Sequence, residues 1–241
     1  MFEIVLYDLP RKDPESGPWS PNTLKTRLAL KYKGLPFKTV WLEYPDIVAE
    51  CKKIGAPPTG AQPDGSPFYT LPVIYDPSTK KAVADSYAIA EYLDATYPTD
   101  RQLMPAGTEG LHAAFYSAFD NHGFFPLVFV YGPLIPTILN PPSEEYFRRT
   151  KKETLEQMAQ TEQDEALRKG KAGFDVIQGW YEKAGKGKLF LMGDTPSWAD
   201  IVVASTLASA RNILGRHSEA WKAISEWHGG RWVRLTAALA E

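Results

Sequence analysis

The chain has 241 residues, 44% of them hydrophobic and 23% charged, close to the averages for soluble globular proteins. Twenty-seven basic and 29 acidic residues leave a formal net charge of −2, which argues against a partner bound through its phosphate backbone, and so against nucleic acid. The longest apolar run, around Leu127 to Tyr131, is far short of the ~20 residues that span a bilayer, and Met1 to Asp8 lacks the basic head and apolar stretch of a signal peptide. The expectation is a soluble, cytoplasmic protein with no membrane partner. The single cysteine, Cys51, cannot form an internal disulfide and reads as a small hydrophobe on a helix face.

In chain order, residues 2–7 (FEIVLY) predict a buried strand. A loop of prolines and charges follows, then a helix from Pro21 to Gly34 with Leu24, Leu28 and Tyr32 at helical spacing. Residues 38–43 predict a second strand and 46–54 a weaker helix. The stretch from Gly55 to Leu71 is rich in proline and glycine and predicts a loop. Residues 73–76 and 81–84 predict a hairpin, and Ser86 to Tyr97 a helix. The order β-α-β-α-β-β-α matches a thioredoxin-like unit. Thirteen of the 20 prolines precede residue 99, whereas Ser143 to Thr195 has none, so the second part can hold long helices. This shift divides the chain into a domain over 1–98, a linker over 99–108 and an all-helical domain over 109–241. Within the latter, Leu111, Ala114, Phe115, Ala118 and Phe119 form one apolar face. Pro126 should kink that helix and Gly132-Pro133 end it. Residues 144–169 read as a charged helical face with i,i+4 pairs, and Ser197-Trp198-Ala199-Asp200 as a capping box opening a buried helix.

Several chemistries are missing. The chain has no GxGxxG, no GxxxxGK[ST] and no GxSxG. Its four histidines lack metal-ligand spacing and no cysteine set accompanies them, so no metal is expected. His228-Gly229-Gly230 reads as a helix end.

Three short signals remain. Trp19-Ser20-Pro21-Asn22 places a serine at a helix start, where it can cap the helix or donate to an anion held by free backbone N–H groups. Thr70-Leu71-Pro72-Val73 places a proline at a strand start: either an ordinary edge proline or a cis bond that leaves the Leu71 backbone free to pair with an extended peptide. Asp85-Ser86 begins a helix and can cap it, or hold the ammonium and carboxylate of an amino acid.

Their order on this frame, with WSPN, TLPV, ADSYAIAEYLDATYP and the capping box, resembles the glutathione transferases over essentially the whole chain. Among these it looks most like the serine-type fungal A class and the bacterial lignin β-etherases. The resemblance implies a homodimer that uses glutathione as co-substrate, with an acceptor pocket for small hydrophobic or aromatic molecules. It implies that Ser20 stabilises the glutathione thiolate, that Leu71 and Pro72 pair with its backbone, and that Asp85 and Ser86 hold its γ-glutamyl end. Lys38, Lys52 and Lys53 are alternatives for the glycine carboxylate. Tyr7, 13 residues before Ser20, stands where tyrosine-type members keep their hydroxyl, but reads better as a packed strand residue. Trp19, Asn22, Phe119, His122 and Phe125 are expected in the acceptor pocket, with Phe115 beside them. A carrier that binds without turnover, or a regulatory scaffold that has lost the glutathione site, are the competing functions.

Overall fold

The computed structural model describes residues 3–240. The first predicted strand is β1 (Ile4–Asp8); Phe2, included in the expectation, lies outside the described residues. A loop with one 3-10 turn leads to α1 (Pro21–Tyr32), which crosses over to β2 (Phe37–Trp41), since parallel neighbours need a crossover rather than a tight turn. Then come α2 (Ile47–Ile54), which buries Cys51, and two strands of two residues each, β3 (Gly60–Ala61) and β4 (Pro67–Phe68). These form a small hairpin inside the expected loop, too short for any periodicity to announce it. The hairpin of β5 (Val73–Asp76) and β6 (Lys81–Ala84) precedes α3 (Ser86–Thr96).

The main sheet has the order β2-β1-β5-β6. β1 runs parallel to β2, with Ile4 opposite Phe37, and antiparallel to β5, with Tyr7 opposite Val73. An interior strand is covered on both faces, which is why β1 is a continuous apolar run.

The second part is helical: α4 (Glu109–Phe119), a π turn (Asp120–Phe124) and α5 (Phe125–Tyr131) make one interrupted rod. Pro126 sits in the first turn of α5, where its missing N–H costs least, and Gly132-Pro133 begins a 3-10 turn that ends the rod. The short α6 (Ile135–Ile138) follows. The charged stretch then divides into α7 (Pro141–Thr150), α8 (Lys152–Ala159) and the start of α9 (Gln163–Glu182). The anticipated i,i+4 pairs form, for example Arg148–Glu144 at 2.8 Å and Lys169–Glu165 at 2.7 Å.

At the centre lies α10 (Trp198–Leu214), buried at every residue from Trp198 to Ala210. Its capping box is present, with the Ser197 N–H donating to Asp200 Oδ2 at 2.8 Å. The left-handed residues His228 and Gly229 separate α11 (Glu219–Glu226) from α12 (Arg231–Ala240), the helix end expected there. Among the described residues, no helix is long and apolar enough to cross a membrane.

α1 packs directly on α10, joining the two parts. The loop from Leu9 to Trp19 tightens that joint. Lys12 N–H donates to Ile138 O, the Arg11 guanidinium to Asn212 O, and the Asn212 amide to Pro18 O.

Candidate functional site

Strand register determines which ends of the chain meet. β1 rises to Asp8; Val73, the first residue of β5, pairs with Tyr7 on one side and Ala84, the last residue of β6, on the other. Leu71-Pro72 and Asp85-Ser86 therefore lie at the end of the sheet where β1 finishes.

Ser20 occupies the N-cap of α1 with extended backbone, and its carbonyl accepts from Leu24 N–H at 3.0 Å. Its side chain caps no backbone N–H. A serine at this position normally closes onto the second or third helical amide; here the hydroxyl is left for another partner. Ser20 is only 5% exposed and forms part of the wall of a cavity of about 390 Å³. The preceding residue is anchored: the Trp19 indole N–H donates to Pro10 O at 3.1 Å, and its carbonyl accepts from the Ser209 hydroxyl of α10 at 2.6 Å.

The Leu71–Pro72 bond is cis, and both residues precede the first paired residue of β5. Asp85 adopts a φ of 78° and caps α3 by accepting from Tyr87 N–H at 2.8 Å and Ala88 N–H at 3.1 Å. Both bonds fall on Oδ1, so Oδ2 lies outside the cap. Ser86 is buried.

The cavity is bounded by both domains and is strongly aromatic, with Trp19, Tyr44, Phe124, Phe125, Phe129 and Phe147 around it. Tyr44, stacked on Tyr146 of α7 at 5.6 Å, carries the segment after β2 across to the helical part. Trp19, Asn22 and Phe125 lie on its walls. Phe119 and His122 do not, which corrects the expectation. Phe119 is fully buried, packed on Phe115 at 6.0 Å and Phe174 at 6.3 Å. His122 faces Trp180 and a separate cavity of about 530 Å³ against α9. The cause is the π turn: one extra residue per turn shifts the phase, so Phe124, Phe125 and Val128 face Ser20 where uninterrupted spacing pointed to Phe119 and His122.

The candidate cations are dispersed. Lys38 lies opposite Val5 on β2, about 10 Å down the sheet from the end where β1 finishes, so register keeps it from that end. Lys53 is exposed on α2 and pairs with Glu50 at 2.9 Å; Lys52 is exposed beside it. Tyr7 is buried beneath α2, and burial, with Glu50 and Cys51 adding, pushes its phenol pKa up. It is a packed strand residue.

One polar residue of this region carries no motif. Lys25, one turn beyond Asn22 on α1, is 3% exposed, and its ammonium donates to Asn22 Oδ1 at 3.0 Å and Tyr116 Oη at 2.5 Å. The only sequence signal was a lysine at i+3 from Asn22 within an otherwise apolar helix face. Among the described residues, no group of three or more His, Cys, Asp or Glu side chains is placed to hold a metal.

Comparisons with known proteins agree over the whole length. Residues 19–96 match the family "Glutathione S-transferase, N-terminal domain", and residues 110–241 the family "Glutathione S-transferase, C-terminal domain". The chain is 31% identical over 242 residues to the glutathione S-transferase-like protein ustS of Aspergillus flavus, covering 94% of this chain and 85% of that protein. Among solved structures it is similar to glutathione transferase GSTFuA3 of Phanerochaete chrysosporium, with 40% identity, a TM-score of 0.95, and coverage of 100% of this chain and 97% of that one. The glutathione S-transferase CsGST63524 of Ceriporiopsis subvermispora, solved in complex with glutathione, is 43% identical with a TM-score of 0.93, covering 99% of this chain and 97% of that one.

Proposed function

The chain belongs to the glutathione S-transferase family, and we propose that it binds glutathione along the edge formed by Ser20, Leu71-Pro72 and Asp85-Ser86 and transfers it to aromatic electrophiles. In this role the Leu71 backbone pairs with the peptide, while Asp85 Oδ2 receives the γ-glutamyl ammonium. The single observation that carries the assignment is the Ser20 hydroxyl, at a helix N-terminus, on a cavity wall and engaged in no cap.

A thiol of pKa ~8.5 is only a few per cent ionised at pH 7, and the thiolate is the nucleophile. Lowering that pKa by about two units requires roughly 2.7 kcal/mol of preferential stabilisation of the anion. One hydroxyl donor together with the N-terminal amides of α1 is of the right size. The thiolate sulfur forms a bond to an electrophilic carbon, and the leaving group, a halide or a phenolate in ether cleavage, departs with the bonding pair. The aromatic lining of the cavity suits flat acceptors.

The ultraviolet thiolate absorbance of bound glutathione, followed against pH, tests this. The expected result is a pKa well below that of the free thiol, returned towards it in Ser20→Ala with binding retained. Binding without a shift would favour a carrier, and no binding a scaffold. A homodimer in the cytoplasm completes the proposal, and sedimentation as a monomer would refute that part.

A further inference from the structure

Lys25 carries no role in the chemistry above, yet it is the buried cation of this region. An ammonium only donates, so the Asn22 carboxamide must present its oxygen to Lys25 Nζ, 3.0 Å away. The amide is planar, so its –NH2 then turns the other way. Asn22 is exposed and shares the cavity wall with Ser20, two residues earlier.

The second acceptor for Lys25 is the Tyr116 phenol, which belongs to the helical domain. The chain Asn22–Lys25–Tyr116 thus joins the start of α1 to α4. The other charged groups facing Lys25 are Asp120 from the π turn and Asp85 from the α3 cap; both favour the ammonium, against its burial.

We propose that Lys25 is a positioning residue whose ammonium locks the Asn22 carboxamide with its –NH2 towards the cavity, making Asn22 a fixed hydrogen-bond donor to an oxygen of the acceptor substrate. The substrate class this selects is the conjugated carbonyl compound. The thiolate sulfur bonds to the β-carbon, the C=C pair moves between the α-carbon and the carbonyl carbon, the C=O pair moves onto oxygen, and the resulting enolate oxygen accepts from Asn22 before solvent protonates the α-carbon. This role rests on the cavity beside Ser20 being the acceptor site.

Burial lowers the Lys25 pKa to about 8, so the lock should titrate within an accessible range. The chain has four asparagines, so the side-chain –NH2 signals of protein labelled with 15N-asparagine are few, and loss of one pair in Asn22→Ser assigns Asn22. The expected result is a pair that shifts with a midpoint near pH 8 and does not titrate in Lys25→Met. Tyr116→Phe removes an acceptor from the ammonium and should lower the midpoint; it also serves if Lys25→Met fails to fold.

Kinetics with 4-phenylbut-3-en-2-one and with benzyl chloride, which has no oxygen to receive the donor, separate positioning from general damage. Lys25→Met should reduce kcat/KM for the ketone about tenfold more than for the chloride, with Lys25→Arg recovering most of the difference. A pair that does not titrate in the wild type, or an unchanged ratio between the two acceptors, would overturn the proposal. Absence of turnover of both acceptors by wild-type protein that still shows the titrating pair would instead refute the cavity's assignment as the acceptor site, and with it the donor role of Asn22.

Discussion

Two glycines of the same helix should respond in opposite ways to the same substitution. Gly173 and Gly179 both lie in α9. A Cβ at Gly173 would stand 1.7 Å from the carbonyl oxygen of His122 in the π turn, whereas a Cβ at Gly179 meets nothing within 4 Å. Real Cβ atoms keep at least 3.0 Å from such neighbours. Both partners at Gly173 are backbone, so no rotamer change relieves the clash and the helix must withdraw from the π turn by about 1.3 Å. Overpacking of this kind costs roughly 1–3 kcal/mol, the upper end where nothing can yield. Against it stands a gain of about 1 kcal/mol from replacing glycine by alanine inside a helix. Gly173→Ala is therefore expected to destabilise by about 2 kcal/mol and Gly179→Ala to stabilise by up to about 1 kcal/mol. In a chain of this length these correspond to roughly 4–8 °C down and 2–4 °C up in Tm. Differential scanning calorimetry of the two variants beside wild type makes the comparison. If Gly173→Ala melted at or above Gly179→Ala, the close approach of α9 to the π turn would be wrong, and with it the phase shift that excludes His122 from the cavity.

Arg27 donates to Asp8 at 2.9 Å, and Asp8 is fully buried, so Arg27→Met should leave an uncompensated carboxylate and cost about 3–5 kcal/mol in urea unfolding; a loss below about 1 kcal/mol would show the pair to be dispensable. Asp76 at the end of β5 is held below its ordinary carboxyl pKa: burial opposes ionisation, but hydrogen bonds from Tyr92 at 2.6 Å, Tyr97 at 2.5 Å and Ser78 N–H at 2.8 Å outweigh it. A depressed native pKa contributes stability that is present above the unfolded value of ~3.9 and lost as pH falls through the native value. Asp76→Asn should cost about 1–3 kcal/mol at pH 7 and show a flatter loss of stability below pH ~4 than wild type; parallel curves would remove Asp76 as the source.

Most of the elements and their order were legible in the sequence, because those signals are local; the two-residue strands β3 and β4 were not. β-Branched and aromatic residues marked β1, the Pro77-Ser78-Thr79 turn marked the hairpin of β5 and β6, Pro21 and Gly34 bounded α1, and the Ser197–Asp200 box announced the start of α10. The sequence also marked Ser20, Leu71-Pro72 and Asp85-Ser86, each of which stands at the start of a helix or strand where serine, proline or aspartate has a distinctive use. Tertiary structure placed Leu71-Pro72 and Asp85-Ser86 at one end of the sheet, through a register in which Tyr7 meets Val73 and Val73 meets Ala84. It decided the wall of the cavity beside Ser20, where a π turn placed Phe124 and Val128 rather than Phe119 and His122. It also decided that Lys25 would meet Tyr116, 91 residues away, across the seam between α1 and α4. Helix and strand periodicity reports which side of an element is apolar, but phase after a distortion and contacts between distant elements arise only when the core closes around them.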